Sequence, residues 1–256
     1  MKRILDLSFA TAGLIVLSPV FLLVGLAVKT TSPGSILFQQ KRMGRFGQSF
    51  TIYKFRSMCA QKSGNECQVT AGGDTRITPF GGFLRRTKLD ELPQLLNVLR
   101  GEMSFVGPRP EVPEFAELFP MEYAHILSVR PGITHPATLA FRREEEILAG
   151  ADDPREFYIE KLMPEKLAAY EADLEQSLVA DIRTIVETIL PLMGTKPLTP
   201  SHFAPLPVLV PDLVVAENLD LPDWFAPTVV ENIPAYAEEA ELVNIADYQR
   251  AATVSG

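Results

Sequence analysis

The sequence contains few of the side chains that most often bind transition metals. Its 256 residues include only 2 cysteines and 3 histidines. Cys59 and Cys67 have no further ligand near them at the spacing that zinc sites use. This composition argues against a zinc site, and the low cysteine content favours a reducing, cytoplasmic environment.

The formal net charge of −8 conceals an uneven distribution along the chain. Residues 1–110 contain 15 basic and 6 acidic side chains, a net of +9, so the remainder carries −17. A basic part that follows an apolar segment suits an anionic membrane surface or phosphorylated ligands. We expect no nucleic-acid partner, because the cations are dispersed among apolar runs and the sequence shows no known nucleic-acid-binding motif.

An apolar segment without a charge covers residues 7–28, and these 22 residues are long enough to span a bilayer as a helix. Ser18 and Pro19 interrupt it. Proline removes an intrahelical hydrogen bond, so we expect a kink there, with Ser18 satisfying part of the freed backbone. Basic residues flank both ends, which suits a re-entrant hairpin that enters and leaves by the cytoplasmic face. A kinked transmembrane helix and a signal peptide are the alternatives.

Residues 36–41 and 49–55 predict the two strands of a small β-hairpin, with glycines between them. The second strand leads into Lys54 and Arg56, and the alternation of a strand places both cations on one face. Two cations on one face could bind a phosphate, or they could belong to a solvated surface.

Asp90 and Glu91 stand at a predicted helix start, because Pro93 and apolar residues at helical spacing follow them. Acidic residues in a first helical turn complement the macrodipole, and proline is tolerated there. The pair therefore has a purely structural explanation as a helix cap. A cluster of cations before it and a Gly-Pro-Arg-Pro turn at residues 107–110 favour a catalytic role instead.

Two adjacent carboxylates beside cations suit phosphoryl chemistry on a nucleotide diphosphate. Arginines and a helix N-terminus would hold the phosphates, and a divalent ion would neutralise the remaining charge. A carboxylate is a sound nucleophile toward phosphorus, because the acyl phosphate it forms is reactive enough for a second transfer. The neighbouring carboxylate would serve as base or metal partner.

At this point the sequence resembles the bacterial sugar transferases, which are monotopic phosphoglycosyl transferases. The matching segments, in order, are residues 53–58, 74–78, 84–85, 89–95, 97–99, 101–104, 106–110 and 130–134. The N-terminal segment with its Ser-Pro break is also similar to the re-entrant membrane helix of that family. The resemblance extends from residue 1 to about residue 194.

The resemblance implies a reaction and a set of site residues. Asp90 looks like the nucleophile that attacks the β-phosphate of a UDP-sugar and expels UMP, and Glu91 looks like the acid/base partner. Polyprenol phosphate then takes the phosphosugar, with Mg²⁺ bound near the pair through Asp90. The implied substrate-binding residues are Lys54, Arg56, Arg85, Pro108, Arg109 and Pro110.

Together these observations predict a mainly α fold with a small β-hairpin. A re-entrant membrane helix-break-helix at residues 1–33 packs on a cytosolic catalytic domain with surface amphipathic helices at residues 34–194. An acidic, proline-rich extension follows at residues 195–256, and its apolar clusters predict an arm that docks on its own or a neighbouring protomer, as a homo-oligomer would require. The resemblance implies monotopic attachment to the bacterial inner (cytoplasmic) membrane, with the catalytic domain in the cytoplasm and membrane lipids as partners.

Within the catalytic domain, residues 111–129 predict one helix that lies on the core or on the membrane, and residues 178–193 predict another. Two departures from the family pattern stand out. Residues 135–142 differ from the usual sequence after Pro-Gly-Ile-Thr, which leaves the sugar preference open, and Lys88 replaces a small hydroxyl residue.

Two other functions use the same features. In a non-catalytic membrane scaffold, the acidic pair would only cap a helix and the basic half would bind anionic lipid. In a membrane-bound hydrolase of nucleotide-diphosphate sugars, the same carboxylates would act with water as the acceptor.

Overall fold

The computed structural model describes residues 1–59, 69–174, 177–193 and 195. Within these ranges the fold is mainly α-helical and contains two small two-stranded sheets, one of them an antiparallel hairpin. The predicted mainly α fold with a small β-hairpin is confirmed. Apart from residue 195, the predicted C-terminal arm lies outside the described residues.

The apolar N-terminal segment forms two helices, α1 (Lys2–Val16) and α2 (Ser18–Thr31), bent by 63°. Pro19 has no N–H to donate to the carbonyl of Ile15, and Ser18 Oγ donates to that carbonyl instead, at 2.8 Å. The predicted kink at Ser18 and Pro19 is confirmed. Among the described residues, no single helix is long and apolar enough to cross a membrane, whereas this bent pair meets the requirement by length and composition.

The predicted hairpin consists of antiparallel strands β1 (Leu37–Met43) and β2 (Ser49–Phe55), with a short 3₁₀ helix at Arg45–Gly47 between them. Alternate residues of β2, Phe50 and Ile52, are buried in the core, as expected for a strand with one covered face. The hairpin therefore presents one face to the helices that follow.

Helix α3 (Pro79–Thr87), a 3₁₀ turn (Leu89–Glu91) and helix α4 (Gln94–Arg100) come next in the chain. Asn97 of α4 is fully buried. Its Nδ2 donates to the carbonyl of Thr51 (2.7 Å), and its Oδ1 accepts from the Tyr53 N–H (3.2 Å). One side chain thus fixes α4 against β2.

Arginine side chains tie both helices of the N-terminal pair to the rest of the molecule. Arg3 donates to the carbonyls of Val98 (2.6 Å) and Leu99 (3.1 Å) near the end of α4. Arg56 donates to the carbonyl (2.7 Å) and the hydroxyl (2.9 Å) of Ser32, just after α2. The last carbonyls of a helix lack intrahelical donors, so each arginine satisfies acceptors at a helix end.

A short parallel pair, β3 (Ser104–Val106) with β4 (Gly132–Thr134), had no signal in the sequence. A Cβ on Gly132 would lie 2.1 Å from the Gly107 nitrogen, so only glycine permits this approach. The Gly107 N–H donates to the Thr134 carbonyl (3.0 Å), and the Gly132 N–H donates to the Pro108 carbonyl (2.9 Å). These bonds hold the Gly-Pro-Arg-Pro turn.

The remaining helices are short. They are α5 (Pro113–Ala116), α6 (Pro120–Ile126), α7 (Pro136–Ala140), α8 (Glu144–Leu148), α9 (Pro154–Phe157), a π-helical segment (Tyr158–Leu162), α10 (Met163–Glu171), α11 (Leu178–Ile189) and a 3₁₀ helix (Leu190–Met193). The single helix predicted over residues 111–129 is wrong, because Pro120 begins a second helix. Phe115 and Ile126 from the two helices are buried, so this region packs on the core.

Two adjacent glycines in α3 provide a matched test of how closely this helix packs. A Cβ on Gly81 would lie 1.9 Å from the Ser57 carbonyl oxygen, whereas a Cβ on Gly82 would meet only Ile77, at 3.8 Å. We expect Gly81→Ala to lower the free energy of unfolding by about 2–3 kcal/mol through overpacking. Gly82→Ala should raise it by about 0.5–1 kcal/mol through helix propensity. Thermal unfolding in detergent measures both, and equal effects would contradict the packing described for α3.

Candidate active site

The two candidate catalytic carboxylates lie in the 3₁₀ turn between α3 and α4 and are buried, with Asp90 6% and Glu91 9% exposed. The prediction that they open an α-helix is wrong. Pro93 lacks an N–H to donate. The backbone hydrogen bonds around it join residues three apart, as in a 3₁₀ helix, for example from the Leu92 N–H to the Leu89 carbonyl (3.3 Å). No side-chain hydrogen bond caps α4, so the pair does not cap this helix by hydrogen bonding.

Lys88 sets the direction of this turn, because its φ of 56° lies in the left-handed region. A residue other than glycine seldom adopts this conformation. Lys88 ends α3 and begins the 3₁₀ turn, and its positive charge favours the ionised form of both Asp90 and Glu91. The sequence offered no reason for a lysine here, since nothing in its local pattern indicates a left-handed residue.

Two cations meet at one oxygen of Glu91. Lys54 Nζ lies 3.0 Å and Arg109 Nη2 lies 2.6 Å from Glu91 Oε1. Burial alone would raise the pKa of Glu91, but Arg109 and Lys54 hold that pKa well below its usual range. Burial lowers the pKa of Lys54 to about 8 despite the neighbouring Glu91, and the Glu91 carboxylate raises the pKa of Arg109. The three side chains form an ionic cluster around the buried carboxylate of Glu91.

Asp90 has the opposite environment. Its Oδ1 is buried and has no hydrogen-bond partner among the described residues. Burial, followed by the adjacent charge of Glu91, raises the pKa of Asp90 above its usual range. A buried carboxylate oxygen without a partner is costly unless it serves another purpose, such as contact with a substrate or a cation.

The prolines on either side of Arg109 hold it in place. Pro108 and Pro110 are buried, whereas Arg109 itself is partly exposed. The Pro108 carbonyl accepts from Gly132, and the Pro110 carbonyl accepts from Arg42 Nη1 at 3.2 Å. The turn is therefore attached to β4 on one side and to β1 on the other, which directs Arg109 toward Glu91.

Two of the predicted phosphate-binding residues have their charged groups engaged elsewhere. Arg56 follows β2 and its guanidinium donates to Ser32 at the end of α2, so it does not join Lys54 at Glu91. Arg85 forms an ion pair with Glu145. Arg85 still lies close enough to Asp90 for its charge to favour the ionised carboxylate.

A cavity of about 370 Å³ lies beside the same turn and is lined by Pro108, Arg130, His135 and Asp181, among others. The carboxylate pair and its two cations are not among the lining residues, so the candidate site lies outside this cavity. His135 is buried, its Nδ1 accepts from the Ala137 N–H (3.2 Å), and burial lowers its pKa to about 4. It is a neutral cap of α7.

Among the described residues, no group of three or more His, Cys, Asp and Glu side chains is placed to hold a metal ion. Magnesium in phosphoryl-transfer sites needs fewer, because one or two carboxylates bind it together with substrate phosphates and water. The unpartnered Oδ1 of Asp90 fits such a role, whereas Glu91 Oε1 already accepts from two cations. Mg²⁺ at Asp90 stays a prediction.

A family model described as bacterial sugar transferase matches residues 1–195 of the 256-residue chain. The chain belongs to the bacterial sugar transferases. The identification made from the sequence segments is thus confirmed, and the ionic cluster around Glu91 lies within the matched region.

Several curated proteins are similar to this sugar transferase. The UDP-N-acetylgalactosamine-undecaprenyl-phosphate N-acetylgalactosaminephosphotransferase of Aeromonas hydrophila is 40% identical over 160 residues, which cover 60% of this chain and 36% of that protein. The UDP-glucose:undecaprenyl-phosphate glucose-1-phosphate transferase of Escherichia coli is 40% identical over 168 residues, covering 62% of this chain and 35% of that protein. The Caulobacter vibrioides protein of the same name is 38% identical over 199 residues, covering 76% and 70%.

The match spans little more than a third of the length of the Aeromonas and Escherichia proteins. It spans a larger share, 70%, of the Caulobacter protein.

Replacing Arg109 by methionine removes one of the two cations from a buried carboxylate. We expect Arg109→Met to lower the free energy of unfolding at pH 7 by about 3 kcal/mol, because the variant leaves buried charge less compensated. The pKa of Glu91 is lower in the native protein than in the unfolded chain, so its ion pairs stabilise the native state fully above the unfolded pKa of about 4.3. This stabilisation is lost as the pH falls below that value toward the native pKa. The difference in free energy of unfolding between Arg109→Met and the wild type should therefore shrink below about pH 4.3. Urea unfolding in detergent measures this difference.

The matched control is Arg143→Met, at an exposed ion pair with Glu146 whose side chains are 64% and 62% exposed. Exposed pairs contribute little, so this variant should unfold as the wild type does. Equal losses of unfolding free energy in both variants, or a loss in Arg109→Met that does not depend on pH, would contradict the ionic cluster described around Glu91.

Proposed function

We propose that this sugar transferase moves a phosphosugar from a UDP-sugar to a polyprenol phosphate at the cytoplasmic face of the bacterial inner membrane, initiating a surface glycoconjugate. The names of the Aeromonas, Escherichia and Caulobacter relatives describe transfer of a sugar phosphate to undecaprenyl phosphate. Family membership over residues 1–195 supports the same general reaction here, which makes the chain a phosphoglycosyl transferase.

The observation that carries the proposal is the contrast between two adjacent carboxylates. Glu91 is held charged by Lys54 and Arg109, whereas Asp90 is buried with an unpartnered oxygen and a raised pKa. Neighbouring acids whose pKa values are pushed apart are typical of catalytic pairs with divided roles. A lipid-binding scaffold would have no use for this arrangement.

In the first step, a carboxylate oxygen of Asp90 attacks the β-phosphorus of the UDP-sugar. The bond from that phosphorus to the bridging oxygen breaks, UMP leaves with the electron pair, and the phosphosugar remains on Asp90 as an acyl phosphate. The environment of Asp90 suits a nucleophile, because its ionised form has lost the solvation that would make it unreactive.

In the second step, a phosphate oxygen of the polyprenol phosphate attacks the same phosphorus, and Asp90 departs as a carboxylate. Glu91 is the proposed acid/base partner that takes a proton from the acceptor. In the structure its low pKa makes it a weak base. Substrate phosphates that draw Lys54 and Arg109 away from Glu91 would raise this pKa and so prepare it to accept the proton.

Lys54 and Arg109 are the best-placed contacts for the donor phosphates, because both already converge on one oxygen beside Asp90. A guanidinium matches phosphate geometry, and the flanking Pro108 and Pro110 keep the turn rigid. Arg85 would act at longer range. A magnesium ion held by Asp90 and the donor would neutralise part of the diphosphate charge.

The bent helix pair supports a membrane location for this chemistry. Apolar side chains of both helices point outward, including Ile15 (69% exposed), Leu22 (74%) and Leu26 (61%). A helix pair broken at Ser18 and Pro19, with basic residues on both flanks, suits re-entrant, monotopic insertion from the cytoplasmic side. The acceptor lipid and the soluble donor could then meet at the same carboxylate.

Trapping the covalent intermediate tests the role of Asp90. With UDP-sugar labelled in its β-phosphate and no acceptor, we expect the wild-type protein to carry the label and Asp90→Asn to carry none, because the amide cannot form the acyl phosphate. Intact-protein mass spectrometry after a brief incubation measures the label. Asp153→Asn, at an exposed cap of α9, is the matched control and should label as the wild type does.

The alternatives give different results in the same experiment. Undiminished labelling of Asp90→Asn would refute the assignment of the nucleophile. Release of free phosphosugar by the wild type without polyprenol phosphate would indicate a hydrolase. No labelling and no release of UMP by the wild type with any UDP-sugar, even after polyprenol phosphate is added, would favour a scaffold.

The lowered pKa of Lys54 predicts how donor use depends on pH. Lys54 is charged below its pKa of about 8 and loses its charge above it. We expect kcat/KM for the UDP-sugar to fall as pH rises through about 8, by up to about tenfold per unit, since this parameter reports ionisation of the free enzyme. Lys54→Arg should move the fall to higher pH, and an unchanged profile would exclude Lys54 as a phosphate contact.

A further inference from the structure

A chain of hydrogen-bonded polar side chains, some buried and some partly buried, follows the Pro-Arg-Pro turn. Glu111 accepts from Arg42 Nη1 (2.9 Å) and from the Tyr158 hydroxyl (2.6 Å). Lys166 Nζ donates to that hydroxyl (3.1 Å) and to Glu144 Oε2 (2.7 Å). We refer to Arg42, Glu111, Glu144, Tyr158 and Lys166 as the Glu111 network.

Stability alone does not account for this network. Tyr158 is 5% and Lys166 6% exposed. Burying charged groups is expensive, and apolar side chains of similar size commonly give equal or greater stability. Burial also raises the pKa of Tyr158 well above its usual range, so the hydroxyl keeps its proton for Glu111 while accepting from Lys166. Hydrogen bonds that connect several side chains in this way restrict their geometry.

The geometry that it fixes is that of the turn carrying Arg109. Arg42 donates both to the Glu111 carboxylate (2.9 Å) and to the Pro110 carbonyl (3.2 Å). The Glu111 carbonyl in turn accepts from the Met43 N–H of β1 (2.8 Å). The chain on the C-terminal side of Arg109 is thus held by Glu111, and Tyr158 holds the second oxygen of Glu111.

Lys166 has a second effect, through Glu144. The Glu91 carboxylate has the largest effect on the pKa of Arg109, and the negative charge of Glu144 acts on that pKa in the same direction. Lys166 lies 2.7 Å from Glu144 and balances its charge. In the structure Arg109 is paired with Glu91, and Glu144 is paired with Lys166.

We propose that Tyr158 and Lys166 are positioning residues that keep Arg109 directed at the catalytic carboxylates. Tyr158 acts through Glu111 on the backbone of the turn, and Lys166 acts by neutralising Glu144. The inference rests on the proposed function, because it assigns Arg109 to the donor phosphates.

The test is a double-mutant cycle on the full chain in detergent, with UMP release from UDP-sugar and polyprenol phosphate as the assay. We expect Tyr158→Phe to lower kcat/KM for the donor about tenfold, on the scale that small misplacements of a binding group produce. In an Arg109→Lys background, the same change should cost less than about twofold, because residues that act through one another are not additive. Tyr123→Phe is the control, because Tyr123 is a buried tyrosine of the same core whose hydroxyl forms no hydrogen bond with the described residues.

A second pair of variants tests Lys166. Lys166→Met should lower kcat/KM about tenfold by leaving Glu144 free to attract Arg109, and adding Glu144→Gln should restore it to within about threefold. A merely structural lysine would not be rescued in this way. If thermal unfolding shows that Tyr158→Phe does not fold, the rescue of Lys166→Met by Glu144→Gln tests the proposal by itself.

The outcomes separate the two levels of the proposal. A wild-type protein without transfer activity counts against the proposed function. An active wild type overturns the positioning roles alone if Tyr158→Phe behaves as Tyr123→Phe does, if its effect adds fully to that of Arg109→Lys, or if Glu144→Gln fails to rescue Lys166→Met.

Discussion

A buried, ionised carboxylate must be surrounded by positive charge, and meeting this requirement at Glu91 brings the site together. Lys54 comes from the hairpin and Arg109 from a turn after β3, and both reach the same oxygen. Removing one partner would leave charge in a poorly solvated place, so the fold is constrained to keep all three segments together. Asp90 shares the burial without these partners at its Oδ1, which separates the chemistry of the two neighbours.

Features that depend on local chemistry could be predicted from the sequence. A proline within an apolar run removes one hydrogen bond wherever it stands, and the kink at Pro19 follows from that alone. Alternating residues around glycines indicated the hairpin, and the ordered motifs indicated Asp90, Glu91 and Arg109. The family was recognisable because these motifs are numerous and in order.

Features that depend on distant partners could not be predicted. Arg56 looked equivalent to Lys54 because a strand would place them on one face, but the Arg56 guanidinium bonds to Ser32 at the end of α2, a partner that the local sequence pattern does not reveal. The pairing of β3 with β4 joins segments of three residues each, too short to give a periodic signal. Local rules allowed proline in a first helical turn, whereas the chain closes a 3₁₀ turn before Pro93 and begins α4 after it.

The two arginines that tie the N-terminal helices to the rest of the protein fix the distance between those helices and the catalytic turn. Arg3 attaches α1 to the end of α4, and Arg56 attaches the end of α2 to the segment after β2, so neither helix can swing without breaking bonds to backbone carbonyls. With the helix pair in a bilayer as proposed, the distance from the lipid surface to Asp90 becomes a fixed dimension of the fold. An acceptor lipid whose phosphate lies deeper in the bilayer must then move toward the surface to reach Asp90. The motion that brings the two groups together is therefore that of the acceptor.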